Sequence, residues 1–285
     1  MGEDLFEHFQ RRTMSCNRDF PLTRESLQSM FGRHEDEHGK STSFNSILDD
    51  MKTRMSEVAV SYSTMYVRNG SDPSFLVELD KALCGIFEAC APTVRDAEIR
   101  QRMVDQLSSY VENTVKGPIP GTSMEVKRTW LCSFGSFASG LYENNGDVDL
   151  SVGGVGCILP DKGEKPLDVI MSDREHRVHV LQKISNALPE NKYTIKRIFR
   201  ARVPLLKVFD REKKVHCDIC FGSREETALP KSQVMWIINK TDARFQILLR
   251  LVKKWCHHMN LKDASIGGFN SYTLAQLVIF HLQNR

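Results

Sequence analysis

Five short stretches of the chain, residues 126–134, 147–153, 193–200, 203–209 and 214–222, read as β-strands, and the segments that bracket them repeat their apolar residues at helical spacing. Strands set among helices in this order call for an α+β architecture, with a mixed sheet beside a helical part. The helical pattern starts with Phe75, Leu76, Leu79, Leu83, Ile86 and Phe87 and breaks at Pro92. Thr93 with Asp96 three residues on forms a capping box for a helix over 94–115. A second box, Ser172 to Glu175, opens a helix to about residue 188. From about residue 229 the reading is helical to the end, broken around Gly267-Gly268. Residues 1–72 are polar with scattered apolar side chains and are expected to be largely disordered.

Charge and cysteine usage narrow the function classes. The 285 residues carry a net charge of +3, too little for a histone-like or basic-tail protein. Residues 192–214, however, hold 9 basic against 2 acidic side chains, a stripe that a polyanion can use. The start Met1-Gly2-Glu3-Asp4 lacks the basic residues and apolar run of a secretory signal. The dense apolar part of the last uncharged run, Leu274 to Leu282, is too short to span a bilayer, so no membrane association is expected. Eight cysteines without a signal read as reduced thiols, which points to the cytoplasm and also allows the nucleus.

Three motifs look chemical but fit poorly. His34-Glu35-Asp36-Glu37-His38 matches a zinc-protease pattern, yet glycines bracket it and its flanks are polar where a buried amphipathic helix is needed. Gly39-Lys40-Ser41 resembles the end of a phosphate-binding loop, but the preceding glycine is too far upstream and no strand leads in. Cys217 and Cys220, with Cys256, His257 and His258 later, suggest zinc; strand alternation over 215–221 would instead point the two cysteines to opposite faces.

A fourth constellation is coherent. Gly135-Ser136 forms a small-residue turn, a short helix is expected over 137–143, and Asp147-Val148-Asp149-Leu150 follows. On a strand, Asp147 and Asp149 share one face while Val148 and Leu150 enter the core. Two carboxylates side by side repel, and a divalent cation with a taste for hard oxygen ligands, Mg²⁺ or Mn²⁺, relieves the repulsion. Asp218, the one acid in the apolar strand Val215–Phe221, is the candidate third ligand. Gly135 lets backbone approach a phosphate, and Ser136 adds a hydroxyl at the start of the short helix.

Gly-Ser, about ten residues, Asp-x-Asp and a later strand Asp resemble the signature of the DNA polymerase β-type nucleotidyltransferases. Four further segments narrow the resemblance: Ala201–Lys207, Cys217-Asp218-Ile219, Leu249–Trp255 and Phe269–Leu274. Together they resemble the template-independent RNA nucleotidyltransferases, the terminal uridylyltransferases and cytoplasmic-type poly(A) polymerases, with the plant small-RNA uridylyltransferases nearest. The resemblance implies a mixed-sheet nucleotidyltransferase palm carried by a helical domain. It implies a two-metal site at Asp147, Asp149 and Asp218, with Gly135 and Ser136 on the triphosphate. Lys253 would reach the β- and γ-phosphates, and Ser271 and Tyr272 would touch phosphate and stack on the base. The substrates implied are UTP or ATP and an RNA 3′ end, extended without a template, with Lys196, Arg197, Arg200 and Arg202 as candidate RNA contacts.

The expected organisation is a polar segment over 1–72, helices over 73–120 of which the second belongs to the helical domain, a catalytic domain over 121–228, and the start of the helical domain over 229–285. Three departures from the family pattern stand out. His257 occupies the nucleotide-site position where a second lysine is usual, and it is a weaker phosphate ligand at neutral pH. Lys231-Ser232 stands where an asparagine after the third aspartate is usual. The chain stops at Arg285, so the helical domain is expected to be incomplete, with a catalytically impaired RNA-binding remnant as the alternative function.

Overall fold

The computed structural model describes residues 73–119, 124–158, 164–166, 174–221, 228–262 and 268–283. The polar segment 1–72, the two motifs near residues 34–41 and the start of the box at Ser172 lie outside the described residues.

The described chain divides into two compact units. The first, residues 92–241, is built on a seven-stranded mixed sheet. Its strands are β1 (Gly117–Pro118), β2 (Met124–Phe134), β3 (Val148–Ile158), β4 (Glu164–Pro166), β5 (Tyr193–Ile198), β6 (Leu205–Asp210) and β7 (Val215–Phe221). They lie in the order β1-β2-β3-β7-β6-β5, with β4 paired to β3 outside that path. The β3–β7 pairing is parallel and the others are antiparallel. Five of these strands lie where the sequence places them, but β3 runs to Ile158, beyond the expected end at 153; β1 and β4 are too short to leave a pattern.

Helix α2 (Val94–Val115) begins at the foreseen capping box. The Asp96 backbone N–H donates to Thr93 Oγ1 at 3.2 Å, and the Thr93 backbone N–H donates to Asp96 Oδ2 at 2.8 Å. Its buried stripe of Met103, Leu107, Val111 and Val115 enters the core under the sheet, beside α4 (Arg174–Ala187) with Val180, Leu181 and Ile184. This corrects the expectation that residues 94–115 belong to the helical domain. The stripe is apolar whichever partner it meets, and the partner is the sheet, because α2 packs against β2 and α4. Helix α1 (Pro73–Cys90) packs instead against α6 (Ala243–His258) in the second unit.

The short helix expected at 137–143 is α3 (Gly135–Ser139), earlier and tighter. Gly140, at φ 71°, ends it in the left-handed conformation, and its N–H donates to the Phe137 carbonyl. The helical run expected from residue 229 is divided between the units. Helix α5 (Ala228–Thr241) packs on α3 and β2 in the first unit. Asp242 then caps α6, its Oδ1 accepting from the Arg244 N–H at 2.9 Å. In the second unit α7 (Ser271–Gln283) packs on α6, burying Leu274, Ala275 and Val278 while Leu277 and Phe280 remain exposed.

Candidate active site

The parallel register of β3 and β7 sets the first pair of site residues side by side. Asp149 pairs with Asp218, Val148 with Cys217 and Leu150 with Ile219. Val148, Leu150, Cys217 and Ile219 are each 0% exposed and fill the core. Alternation therefore turns Asp149 and Asp218 together onto the opposite face. Asp147, exposed, stands just before β3 begins. Cys217 and Cys220 face opposite ways as alternation requires, and among the described residues no group of three or more His, Cys, Asp and Glu side chains is placed to hold a metal ion as it stands.

The carboxylates are electrostatically uncomfortable. Burial first, then the charges of Asp218 and Asp147, pushes the Asp149 carboxyl up to about 7, against the pull of Lys207. Lys207 lies on β6 in register with Asp218 and donates to its Oδ2 at 2.9 Å. That hydrogen bond is the main reason its ammonium sits above the ordinary lysine value. On β5, Lys196 pairs with Lys207. One row across four strands thus reads Asp149, Asp218, Lys207, Lys196, two acids followed by two lysines.

The Gly135-Ser136 turn closes the site on its other side. Gly135 has φ 69°, and a Cβ there would collide with the Asp149 carboxylate, standing 3.2 Å from its Cγ. Only glycine allows β2 to turn into α3 directly over that acid. The Gly135 N–H donates to Ser232 Oγ at 2.7 Å, and Ser232 in turn donates to the Ala228 carbonyl at 2.6 Å. Ser232, in the pair that replaces the usual asparagine, therefore supports the glycine turn from α5.

Arg100 is a positioning residue that helical spacing could not reveal. Only 4% exposed on α2, it reaches the loop before β3. Its Nη2 donates to the Asn144 carbonyl at 2.6 Å and to the Gly146 carbonyl at 3.0 Å, while Nε donates to the latter at 3.2 Å. The guanidinium also lies 5.2 Å from the Tyr142 ring centroid. It thereby fixes the backbone of the residue immediately before Asp147.

The remaining expected site residues fall into two groups. Lys253, His257, Ser271 and Tyr272 belong to the second unit: Lys253 and His257 stand one turn apart on α6, and Ser271 and Tyr272 open α7. Lys253 is buried, His257 and Ser271 are exposed, and burial raises the Tyr272 hydroxyl pKa. Among the candidate RNA contacts, Lys196 lies on the carboxylate face. Arg197 departs from the expectation, because alternation turns it the other way. Its Nε donates to Ser185 Oγ at 2.7 Å and its Nη2 to Asn186 Oδ1 at 3.0 Å, both on α4. Arg200 and Arg202 are exposed on a loop that Arg174 holds through the Phe199, Ala201 and Arg202 carbonyls.

Two outcomes follow from this geometry. Arg100→Met removes the fork on the Asn144 and Gly146 carbonyls, so backbone amide exchange over 143–147 should accelerate while β7 stays protected; unchanged exchange there would show that the loop holds itself. Asp149 titrates at about 7 in the fold against an ordinary 3.8. Its contribution to stability is therefore full below about pH 4 and is lost as pH rises through about 7. In EDTA, the melting temperature of the wild type relative to Asp149→Asn should fall between pH 5 and pH 8, and a pH-independent difference would contradict the shift.

Comparison with known proteins gives this arrangement a family. Residues 79–238 match the model for poly(A) RNA polymerase, mitochondrial-like, central palm domain. Protein HESO1 of Arabidopsis thaliana is 33% identical over 208 residues, covering 72% of this chain and 37% of HESO1. Terminal uridylyltransferase cid1 of Schizosaccharomyces pombe is 29% identical over 157 residues, covering 53% of this chain and 34% of cid1. The chain spans well under half the length of either relative. The fold matches the crystal structure of mtPAP in complex with GTP, with a TM-score of 0.57 at 19% identity over 71% of this chain and 42% of that one. It also matches the Cid1 poly(U) polymerase with MgGTP bound, with a TM-score of 0.52 at 23% identity over 70% of this chain and 54% of that one. The chain belongs to the family defined by the mitochondrial-like poly(A) RNA polymerase central palm domain.

Proposed function

We propose that this chain is a metal-dependent RNA 3′-terminal nucleotidyltransferase that adds UMP or AMP from UTP or ATP without a template. The observation that carries the reading is the register-paired Asp149 and Asp218 with Asp147 beside them, facing away from the core. The names of the similar proteins support the substrate class, since they include poly(A) RNA polymerases and terminal uridylyltransferases. A cytoplasmic site of action, with the nucleus as a second, fits the cysteine usage, since Cys84, Cys90, Cys132, Cys217, Cys220 and Cys256 are free thiols.

The residues fit a divalent cation. Three carboxylates supply hard oxygen donors, and burial together with the charges of Asp218 and Asp147 disfavours the ionised Asp149, a cost that a dication offsets. Asp147, Asp149 and Asp218 would hold Mg²⁺ or Mn²⁺, which when bound activates the attacking hydroxyl and stabilises the displaced phosphate charge. In the reaction the RNA 3′ oxygen bonds to the α-phosphorus of the nucleoside triphosphate, the bond to the bridging oxygen breaks, and pyrophosphate leaves. Gly135 admits a phosphate close to the backbone, with the Ser136 hydroxyl beside it. Lys253, His257, Ser271 and Tyr272, all in the second unit, are proposed as nucleotide contacts on the family resemblance alone.

Extension of a labelled RNA oligonucleotide with each of the four triphosphates in Mg²⁺ or Mn²⁺ tests this reading. Incorporation of UMP or AMP is expected. Asp147→Ala, Asp149→Ala and Asp218→Ala should each lower it by at least about 10²–10³-fold, the scale of losing a principal transition-state stabiliser. Near-normal extension by any of the three would falsify the assignment. RNA binding with no incorporation of any nucleotide would favour the impaired remnant that His257 suggests.

A further inference from the structure

The carboxylate face carries a feature that the transfer chemistry leaves unused. Phe209 follows Lys207 by two residues on β6, and His216 precedes Asp218 by two on β7. Both therefore project from the same face as the acids. They are register partners, and their rings lie 4.6 Å apart between centroids with 32° between planes. His216 is exposed and Phe209 half-buried. Lys214, at φ 58°, brings its ammonium to 5.9 Å from the Phe209 centroid. The core needs neither ring, because Val208 and Cys217 fill it from the opposite face, at 1% and 0% exposure.

The position of the pair relative to the acids gives it a direction. In the strand order β2-β3-β7-β6, the Gly135-Ser136 turn that follows β2 lies on one side of Asp149, and Phe209 and His216 lie on the other. An in-line displacement puts the attacking oxygen and the leaving pyrophosphate on opposite sides of the α-phosphorus. With the triphosphate at the glycine turn, the RNA 3′ end approaches across β7 and β6. Exposed aromatic rings beside lysines are the means by which proteins hold single-stranded bases.

We infer that Phe209 and His216 form a stacking platform for the terminal bases of the RNA 3′ end, with Lys207 and Lys214 on the adjoining phosphates. The inference rests on the transferase reading given above. The platform recognises a base by its flat face, so it tolerates any sequence and grips the primer, not the incoming nucleotide.

The test uses the full chain and a single-stranded RNA whose 3′-terminal base is 2-aminopurine, a base whose fluorescence falls on stacking. Binding to the wild type should quench the signal. Phe209→Leu and the exposed-site variant His216→Ala should lose the quenching and weaken RNA binding by about tenfold to a hundredfold, the scale of removing a stacked base. The KM for the nucleoside triphosphate and the melting temperature should hold, and Phe209→Trp should restore quenching. Unchanged quenching and RNA affinity in both variants, with normal extension, overturns the platform and leaves the transferase reading standing. A raised nucleotide KM with RNA affinity intact also overturns it, by assigning the rings to the incoming base. A wild type that neither binds RNA nor incorporates any nucleotide overturns the transferase reading itself, and the platform with it.

Discussion

The parallel pairing of β3 with β7 is the interaction on which the site depends. It is the one parallel pairing among the described strands, and it places Asp149 opposite Asp218 by backbone register alone. Val148, Leu150, Cys217 and Ile219 lock that register, since a slip of either strand by one residue would send its two core side chains to the other face and its carboxylate into the core. The same alternation that builds the core therefore aims the chemistry. Helices α2 and α4 cover the core face, leaving Asp218, Lys207, Lys196, Phe209 and His216 on the opposite face of β7, β6 and β5.

Around that pairing the first unit balances charge locally. Asp149 is buried among acids and is pushed towards neutrality, while Lys207 holds Asp218 as an ion pair. Gly135 and Ser232 brace one edge of the carboxylate group and Arg100 braces the loop that leads to Asp147. None of these braces is an acid, so each can stiffen the site without adding to its repulsion. Stiff carboxylates with surplus negative charge are what a dication binds best, because little reorganisation is needed on binding.

Much of this was legible from the sequence, for local reasons. Asp147 and Asp149 announce themselves by strand alternation after a glycine turn, Asp218 by being the lone acid in an apolar strand, and Thr93 with Asp96 by capping chemistry. What was not legible is non-local. The Lys207–Asp218 pair, the row that adds Lys196 and the Phe209–His216 stack exist only through the register of neighbouring strands. Arg100 looks like any charged helix residue until its partner carbonyl, 46 residues away, is known. Strand alternation implies that only part of the basic stripe at 192–214 faces one way, but which part depends on the sheet's neighbours. Arg197 turns to α4, and Lys213 turns to Gln106 and the fully buried Asp210. Helical periodicity likewise gives the apolar face of residues 94–115 but not its partner, which is β2 and α4.

The central claim is that Asp147, Asp149 and Asp218 form one cation site. Mn²⁺ binding to the full chain, followed by loss of the free-ion electron paramagnetic resonance signal, measures it without relying on turnover. The account predicts stoichiometric binding by the wild type and affinity weakened by at least about tenfold in Asp149→Asn and in Asp218→Asn. Equal Mn²⁺ affinity in all three proteins would contradict it.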